Sequence, residues 1–337
     1  MRVLIYFKPK EKFDNFEGAR LRKTIKGALE VADIDYTAKD VDYYDIAHFI
    51  SPNDESRINS CIENNIPVVM SALYCESDLE ASYLEYSTKK EVRSIALTAK
   101  ALRVLNKVTL VLVPSEESKE FLVSAGVTTP IEVVPTGVNL SRFSYLRDDE
   151  KEVFYRYYRE DKNKKIVVSI GSYDNVDGLS AFIKAAKLNP NCAFYNFAQK
   201  NVKLNTKLKI IIKRSPKNCH FVDVPDDDIY RSALVNSDVF MYNGYDAAGI
   251  VSVLEAMAAK TEIVIRNQPL FSDILVNEKT CHIGNYSETL TAIACDCLNG
   301  KIYPTKEEAF KYASTQGIDV VGERLKDIYE SLLQRRD

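Results

Sequence analysis

Two runs of basic residues and a scatter of isolated titratable side chains, rather than any nucleophile–base pair, carry the chemistry legible in this 337-residue sequence. The histidines, His48, His220 and His282, stand apart, and an isolated imidazole reads as structural or surface. Seven cysteines (Cys61, Cys75, Cys192, Cys219, Cys281, Cys295, Cys297) are odd in number and hold no C-x-x-C pair, which fits reduced thiols better than a disulfide framework or zinc ribbon. G-x-S-x-G, the P-loop, H-E-x-x-H and G-x-G-x-x-G are all missing, so hydrolase, P-loop, zincin and dinucleotide chemistries lose their markers. No metal site is expected.

The first basic run, 89–107, sets Lys89, Lys90, Arg93, Lys100, Arg103 and Lys107 beside Val92, Ile95, Ala96, Ala99 and Leu102, with Glu91 as its only acid. On a helix this suits an anionic membrane surface, at roughly 1 kcal/mol per basic residue. A solvated helix face reads equally well. The second run holds Lys200, Lys203, Lys207, Lys209, Lys213, Arg214 and Lys217 around Leu208–Ile212, a place from which to face polyphosphate or an acidic partner, although a solvated surface explains it more simply. Tyr155, Tyr157 and Tyr158, among 20 tyrosines, suggest an amphipathic interface.

Positioning such groups takes a scaffold, and length allows two ordinary domains with full cores. Short β-branched runs alternate with helix-period segments. Strands are predicted over 2–7, 46–49, 67–70, 109–114 and 131–135, with amphipathic helices over 19–31 and 92–106. The pattern lapses across 144–163 and resumes with strands near 166–170, 192–197, 219–222, 239–242 and 262–265. This predicts an α/β protein with a first doubly wound domain over 1–143, an interdomain stretch over 144–163 and a second such domain over 164–317. In 318–337 a stripe of Val320, Val321, Leu325, Ile328, Tyr329, Leu332 and Leu333 predicts a helix that packs back on the rest.

Lys plus Arg number 45 against 48 Asp plus Glu, a net charge of −3, which argues against nucleic acid as a partner. The amino-terminal residues turn charged after one short apolar run, unlike a signal peptide, and no run reaches the roughly 20 apolar residues of a membrane span. The expected location is cytoplasmic, with peripheral contact at the inner face of the membrane.

Four stretches carry a family resemblance. Val134-Pro135-Thr136-Gly137-Val138-Asn139-Leu140-Ser141-Arg142-Phe143 is similar to the I-P-N-G-V-D-x-x-x-F signature that ends the first domain of retaining GT-B glycosyltransferases of family four. Val168-Ser169-Ile170-Gly171, followed by Asp177-Gly178-Leu179, resembles that family's strand, loop and K-G helix. Val253-Leu254-Glu255-Ala256-Met257-Ala258 resembles its L-E-A-M-A helix, which closes an E-x7-E motif. Phe16-Glu17-Gly18-Ala19-Arg20 stands in the place of its Gly-rich loop. Within the family, Ala28-Leu29-Glu30, Ile34-Asp35-Tyr36-Thr37 and Tyr44-Asp45-Ile46-Ala47-His48 resemble the diglycosyl-diacylglycerol synthases of Gram-positive bacteria and mycoplasmas.

The resemblance implies a GT-B fold, two Rossmann-like domains facing a central cleft, acceptor side first and nucleotide-sugar side second. It implies that Glu255 binds the nucleotide ribose, that Gly137, Gly171, Gly178 and Gly249 shape the cleft, and that Gly18 and Arg20 approach the phosphates. The chain then departs from the pattern. The leaving diphosphate gains negative charge and no metal neutralises it in this family, so a cationic clamp is needed. Val176 and Asp177 occupy the clamp positions, and reversing one charge there costs several kcal/mol. Eight residues before Glu255 lies Ala247, with Asp246 one place too early for the sugar-side carboxylate. Ser71-Ala72-Leu73-Tyr74 lacks the family histidine, and one glycine remains of the Gly-rich loop.

Two functions follow from this balance. The losses point to a non-catalytic or partner-dependent subunit of a glycosyltransferase in glycolipid or envelope glycan synthesis, whose partner is an active glycosyltransferase or a second copy. The retained residues point to an active retaining hexosyltransferase, with Asp246 near the sugar, a nucleotide sugar such as a UDP-hexose as co-substrate and no other cofactor. Either way Lys89, Arg93, Lys100, Arg103 and Lys107 are the expected membrane contacts.

Overall fold

The computed structural model describes residues 1–7, 17–50, 54–72, 99–171, 176–198, 206–242 and 250–334 with Pro52 and Leu97, although the side chains of 17–19, 176, 177 and 269 are not described. Asp246, Gly249, Lys89 and Arg93 therefore lie outside the described residues.

The first half runs β1 (Arg2–Tyr6), α1 (Glu17–Val31), β2 (Asp35–Thr37), β3 (Ile46–Phe49), α2 (Glu55–Glu63), β4 (Val68–Ser71), α3 (Ala99–Leu105), β5 (Leu110–Val113), α4 (Glu116–Ser124) and β6 (Ile131–Val133). Its strands form one parallel sheet in the order β2-β1-β3-β4-β5-β6. A connection through α5 (Ser141–Ser144), α6 (Asp148–Lys151) and α7 (Val153–Tyr158) leads to the second half. There β7 (Ile166–Ile170), α8 (Val176–Leu188), β8 (Ala193–Phe197), α9 (Thr206–Lys213), β9 (Cys219–Val222), α10 (Asp227–Val235), β10 (Val239–Tyr242), α11 (Ile250–Ala258), β11 (Glu262–Ile265) and β12 (His282–Ile283) follow. They form a second parallel sheet, β12-β11-β10-β7-β8-β9, and α12 (Ser287–Leu298), α13 (Lys306–Ser314) and α14 (Ile318–Gln334) complete the chain.

The central strands are buried on both faces, as parallel sheets sandwiched by helices require: every residue of β3, β4, β5, β7, β8 and β10 is buried. Strand order reverses between β1 and β3 in one sheet and between β7 and β10 in the other. Such switch points leave a crevice beyond the carboxyl ends of the strands where open α/β sheets bind ligands. The helices α1 and α11 each follow a switch-point strand, so any group they carry near their amino ends is delivered to that crevice.

The halves are joined twice. Gly137 has φ +83°, and a Cβ there would come within 2.9 Å of Val321 Cγ2 and 3.2 Å of Thr24 Cγ2, so the first crossover threads between α1 and α14 only as glycine. Beside it, Val138 N–H donates to the Gln316 carbonyl at 2.8 Å, tying the outgoing chain to the returning one. Helix α14 then lies back on α1, burying Val321, Leu325, Ile328, Tyr329 and Leu332 against Leu21, Ile25, Ala28 and Leu29 of that helix. A further seam is polar: Ser118 Oγ donates to the Leu270 carbonyl at 3.2 Å and Ser272 Oγ to Glu117 Oε1 at 3.0 Å.

Three sequence expectations look different in the structure. The stretch 144–163 contains α6 and α7 rather than open chain. Of its tyrosines, Tyr155 and Tyr158 pack on the core with Phe154, Tyr158 meets Tyr195 at a centroid distance of 4.8 Å, and only Tyr157, 64% exposed, faces outward. Gly18 lies in the first turn of α1 rather than in a loop before it. No helix among the described residues is long and apolar enough to cross a membrane.

Candidate functional site

Helix α11 is buried on every side, because both of its faces pack on protein, and Glu255 is therefore a carboxylate in the interior, 4% exposed. A buried carboxylate is tolerated only with close donors. Its Oε2 accepts from Arg20 Nε at 3.0 Å and from the Tyr230 hydroxyl at 3.0 Å, and the terminal guanidinium nitrogen of Arg20 closes an ion pair on the same oxygen. Its Oε1 faces Arg142 at 3.8 Å. The Arg20 guanidinium carbon lies 3.9 Å from the Tyr230 ring centroid, a cation–π contact.

A second carboxylate extends the cluster. Asp227, at the start of α10, pairs with Arg142 and, at 3.2 Å, with Lys23 Nζ, while Arg231 Nε stands 3.7 Å away. Burial alone would raise the Asp227 pKa, but Arg142 and Lys23 outweigh it and hold the carboxyl below its ordinary value. Arg20 and Lys23 sit one turn apart on α1, so one helix face reaches across to both Glu255 and Asp227. Helix α1 is thus clasped to α11 and α10 by charge of opposite sign.

Sequence reasoning singled out Glu255 and Arg20, and the structure brings them together although 235 positions separate them. Gly171, which follows β7, has φ +143°, and among the described residues nothing lies within 4 Å of where its Cβ would be. Gly178 is buried in α8, and Val176 and Asp177 form the start of that helix. Tyr230, Lys23, Asp227 and the role of Arg142 were not anticipated. Arg142 stood inside the quoted Val134–Phe143 motif, where its charge was a usable signal; Tyr230 and Asp227 sit in an ordinary amphipathic helix and gave none.

The basic surfaces are partly neutralised. Arg103 forks onto Glu55 at 3.1 and 2.8 Å and Lys107 adds a contact at 3.1 Å. Hydrogen bonds from these two side chains hold the Glu55 carboxyl down at about 2. Among Lys100, Arg103 and Lys107, two of the expected membrane contacts are therefore engaged within the fold.

The cluster is chemically a polar cradle: a carboxylate that can accept hydroxyls and guanidinium groups that can face phosphate. Known proteins share the frame. Residues 150–298 match the family described as "Glycosyl transferases group 1". The chain is 23% identical over 336 residues to a processive diacylglycerol alpha-glucosyltransferase of Acholeplasma laidlawii, covering 99% of each chain. Among solved structures, it resembles Anabaena Alr3699/HepE in complex with UDP and glucose, with a TM-score of 0.73 at 14% identity over 98% of this chain and 100% of that one. A glycosyltransferase from Rickettsia africae ESF-5 gives a TM-score of 0.67 at 14% identity over 98% of each chain. Residues 150–298 are thus similar to group 1 glycosyltransferases, and the chain shares the GT-B fold of these neighbours over nearly its whole length.

Proposed function

We propose that the chain is a nucleotide-sugar-dependent hexosyltransferase of glycolipid synthesis, working at a membrane surface with the donor held by the second half and the acceptor by the first. The observation that carries this reading is Glu255, a buried carboxylate of α11 that accepts from Arg20 and Tyr230 and faces Arg142. The glycolipid acceptor is supported by the Acholeplasma relative, a diacylglycerol glucosyltransferase matched along its whole length. A uridine nucleotide is supported by the UDP in the Anabaena neighbour.

In this reading Glu255 accepts hydrogen bonds from the ribose hydroxyls and fixes the nucleotide's depth in the crevice. Cations on that side, Arg20 and Arg142, face the charge that grows on the leaving diphosphate, a stabilisation made in the transition state and therefore useful for rate. The donor comes close to β7 at Gly171, where no described residue lies within 4 Å of the Cβ position.

The partner-dependent, non-catalytic reading is favoured by the donor-side losses together, above all the Val176-Asp177 pair where the family resemblance implies cations. Calorimetric titration with nucleoside diphosphates and their sugars separates the two. The transferase reading predicts saturable binding of one nucleotide class, tightened about tenfold by Asp177→Lys, which removes a negative charge and adds a positive one beside the phosphates. No binding up to millimolar ligand by a chain shown to be folded contradicts it and leaves the partner-dependent reading.

A further inference from the structure

In the state the structure presents, Glu255 cannot take two vicinal ribose hydroxyls, one on each oxygen, without losing Arg20: Oε1 faces Arg142 at 3.8 Å, but Oε2 is occupied. Its Oε2 already takes Nε and a terminal nitrogen of Arg20 and the Tyr230 hydroxyl, and the guanidinium carbon lies 3.9 Å from the Tyr230 ring centroid. Arg20 is 14% and Glu255 5% exposed at the side chain, so the pair is largely shielded from solvent. The packing of Leu21, Ile25, Ala28 and Leu29 against α14 keeps α1 in place whether or not the Arg20 side chain stays.

Resting on the donor-site reading above, we infer that Arg20 is an exchangeable counter-ion that makes this site select for a diphosphate. In the empty protein Arg20 neutralises Glu255; on binding, the ribose hydroxyls take the carboxylate and the Arg20 fork turns to the diphosphate oxygens of the same ligand. A guanidinium suits both partners, since carboxylate and phosphate offer the same pair of acceptor oxygens to its planar fork. The exchange conserves one charge-assisted contact for Arg20, so a nucleoside diphosphate displaces it at little cost. A nucleoside alone must break the ion pair and gives nothing back. The arrangement also supplies, from the first half of the chain, the positive charge that Val176 and Asp177 do not supply from the second.

The test is calorimetric titration of the full chain and its Arg20→Ala and Arg20→Lys forms with ribonucleosides and the matching diphosphates. Removing a charge-assisted pair that the nucleoside must otherwise break is expected to tighten nucleoside binding by Arg20→Ala about tenfold or more. The same substitution is expected to shrink the advantage of diphosphate over nucleoside by at least about tenfold. Arg20→Lys, which keeps the charge and loses the fork, falls between, and stands in if the alanine form does not fold. A structural role alone lowers or leaves unchanged the affinity for nucleoside, and either result overturns the exchange while diphosphate binding by the natural chain preserves the donor site. Absence of binding by all folded forms overturns both.

Discussion

His48 is a residue whose type suggested chemistry and whose position makes it architecture. It is fully buried in β3, with Nδ1 2.7 Å from the Tyr329 hydroxyl and Nε2 2.7 Å from Ser71 Oγ, so it pins α14 to the sheet. Burial pushes its imidazole down to about 3, against 6.5 ordinarily. The folded state therefore binds fewer protons than the unfolded one between those values. Its contribution to stability is complete above about pH 6.5 and is lost as pH falls toward 3, at up to about 1.4 kcal/mol per pH unit. Denaturant melts of the natural chain and His48→Gln between pH 4 and 8 should differ in slope below pH 6.5, the variant being flatter; parallel curves would count against a neutral buried imidazole. Glu255, by contrast, was legible through the resemblance of Val253–Ala258 to the family's L-E-A-M-A helix. The ring and hydroxyl that hold it, from Tyr230, carry no such local signal.

Among elements, β3, β7, β9, β10 and β11 run over the residues that their β-branched composition predicts. The edge strands β2 and β12 were missed because Asp35–Thr37 and His282–Ile283 are too short to display a period and lie at sheet margins. For the same reason α6 and α7 hid in a charged stretch. The stripe of α14 was visible, yet Val320 proves 46% exposed while Val321 is buried, since a helix face admits only one of two adjacent residues. What no period reveals is where neighbouring backbones meet. A Cβ on Gly322 would stand 2.4 Å from the Ala28 carbonyl oxygen and 3.1 Å from Ala32 Cβ, so that glycine sets the approach of α14 to α1. Gly322→Ala should cost about 1–3 kcal/mol despite its higher helix propensity, because the helices must separate. Urea unfolding checks it, and an alanine form as stable as the natural chain would show that the pair has room to spare.

At the scale of the molecule, the alternation of strands and helices announced two doubly wound sheets, and both are present in parallel order. The way they are clasped was not legible. Arg20 to Glu255, Lys23 to Asp227 and Gly137 between Thr24 and Val321 each join positions more than a hundred residues apart, and a local pattern holds no trace of such pairings. Those contacts decide whether the cradle around Glu255 is a donor site. The most direct measurement is transfer itself. The purified chain is mixed with vesicles holding diacylglycerol and its monoglycosyl form, supplied with a panel of nucleotide hexoses, and the lipids are weighed by mass spectrometry. The account predicts a lipid heavier by one hexose with one donor, formed at least about tenfold faster by the natural chain than by Glu255→Ala. No added hexose with any donor, or equal rates from the two folded chains, would contradict it.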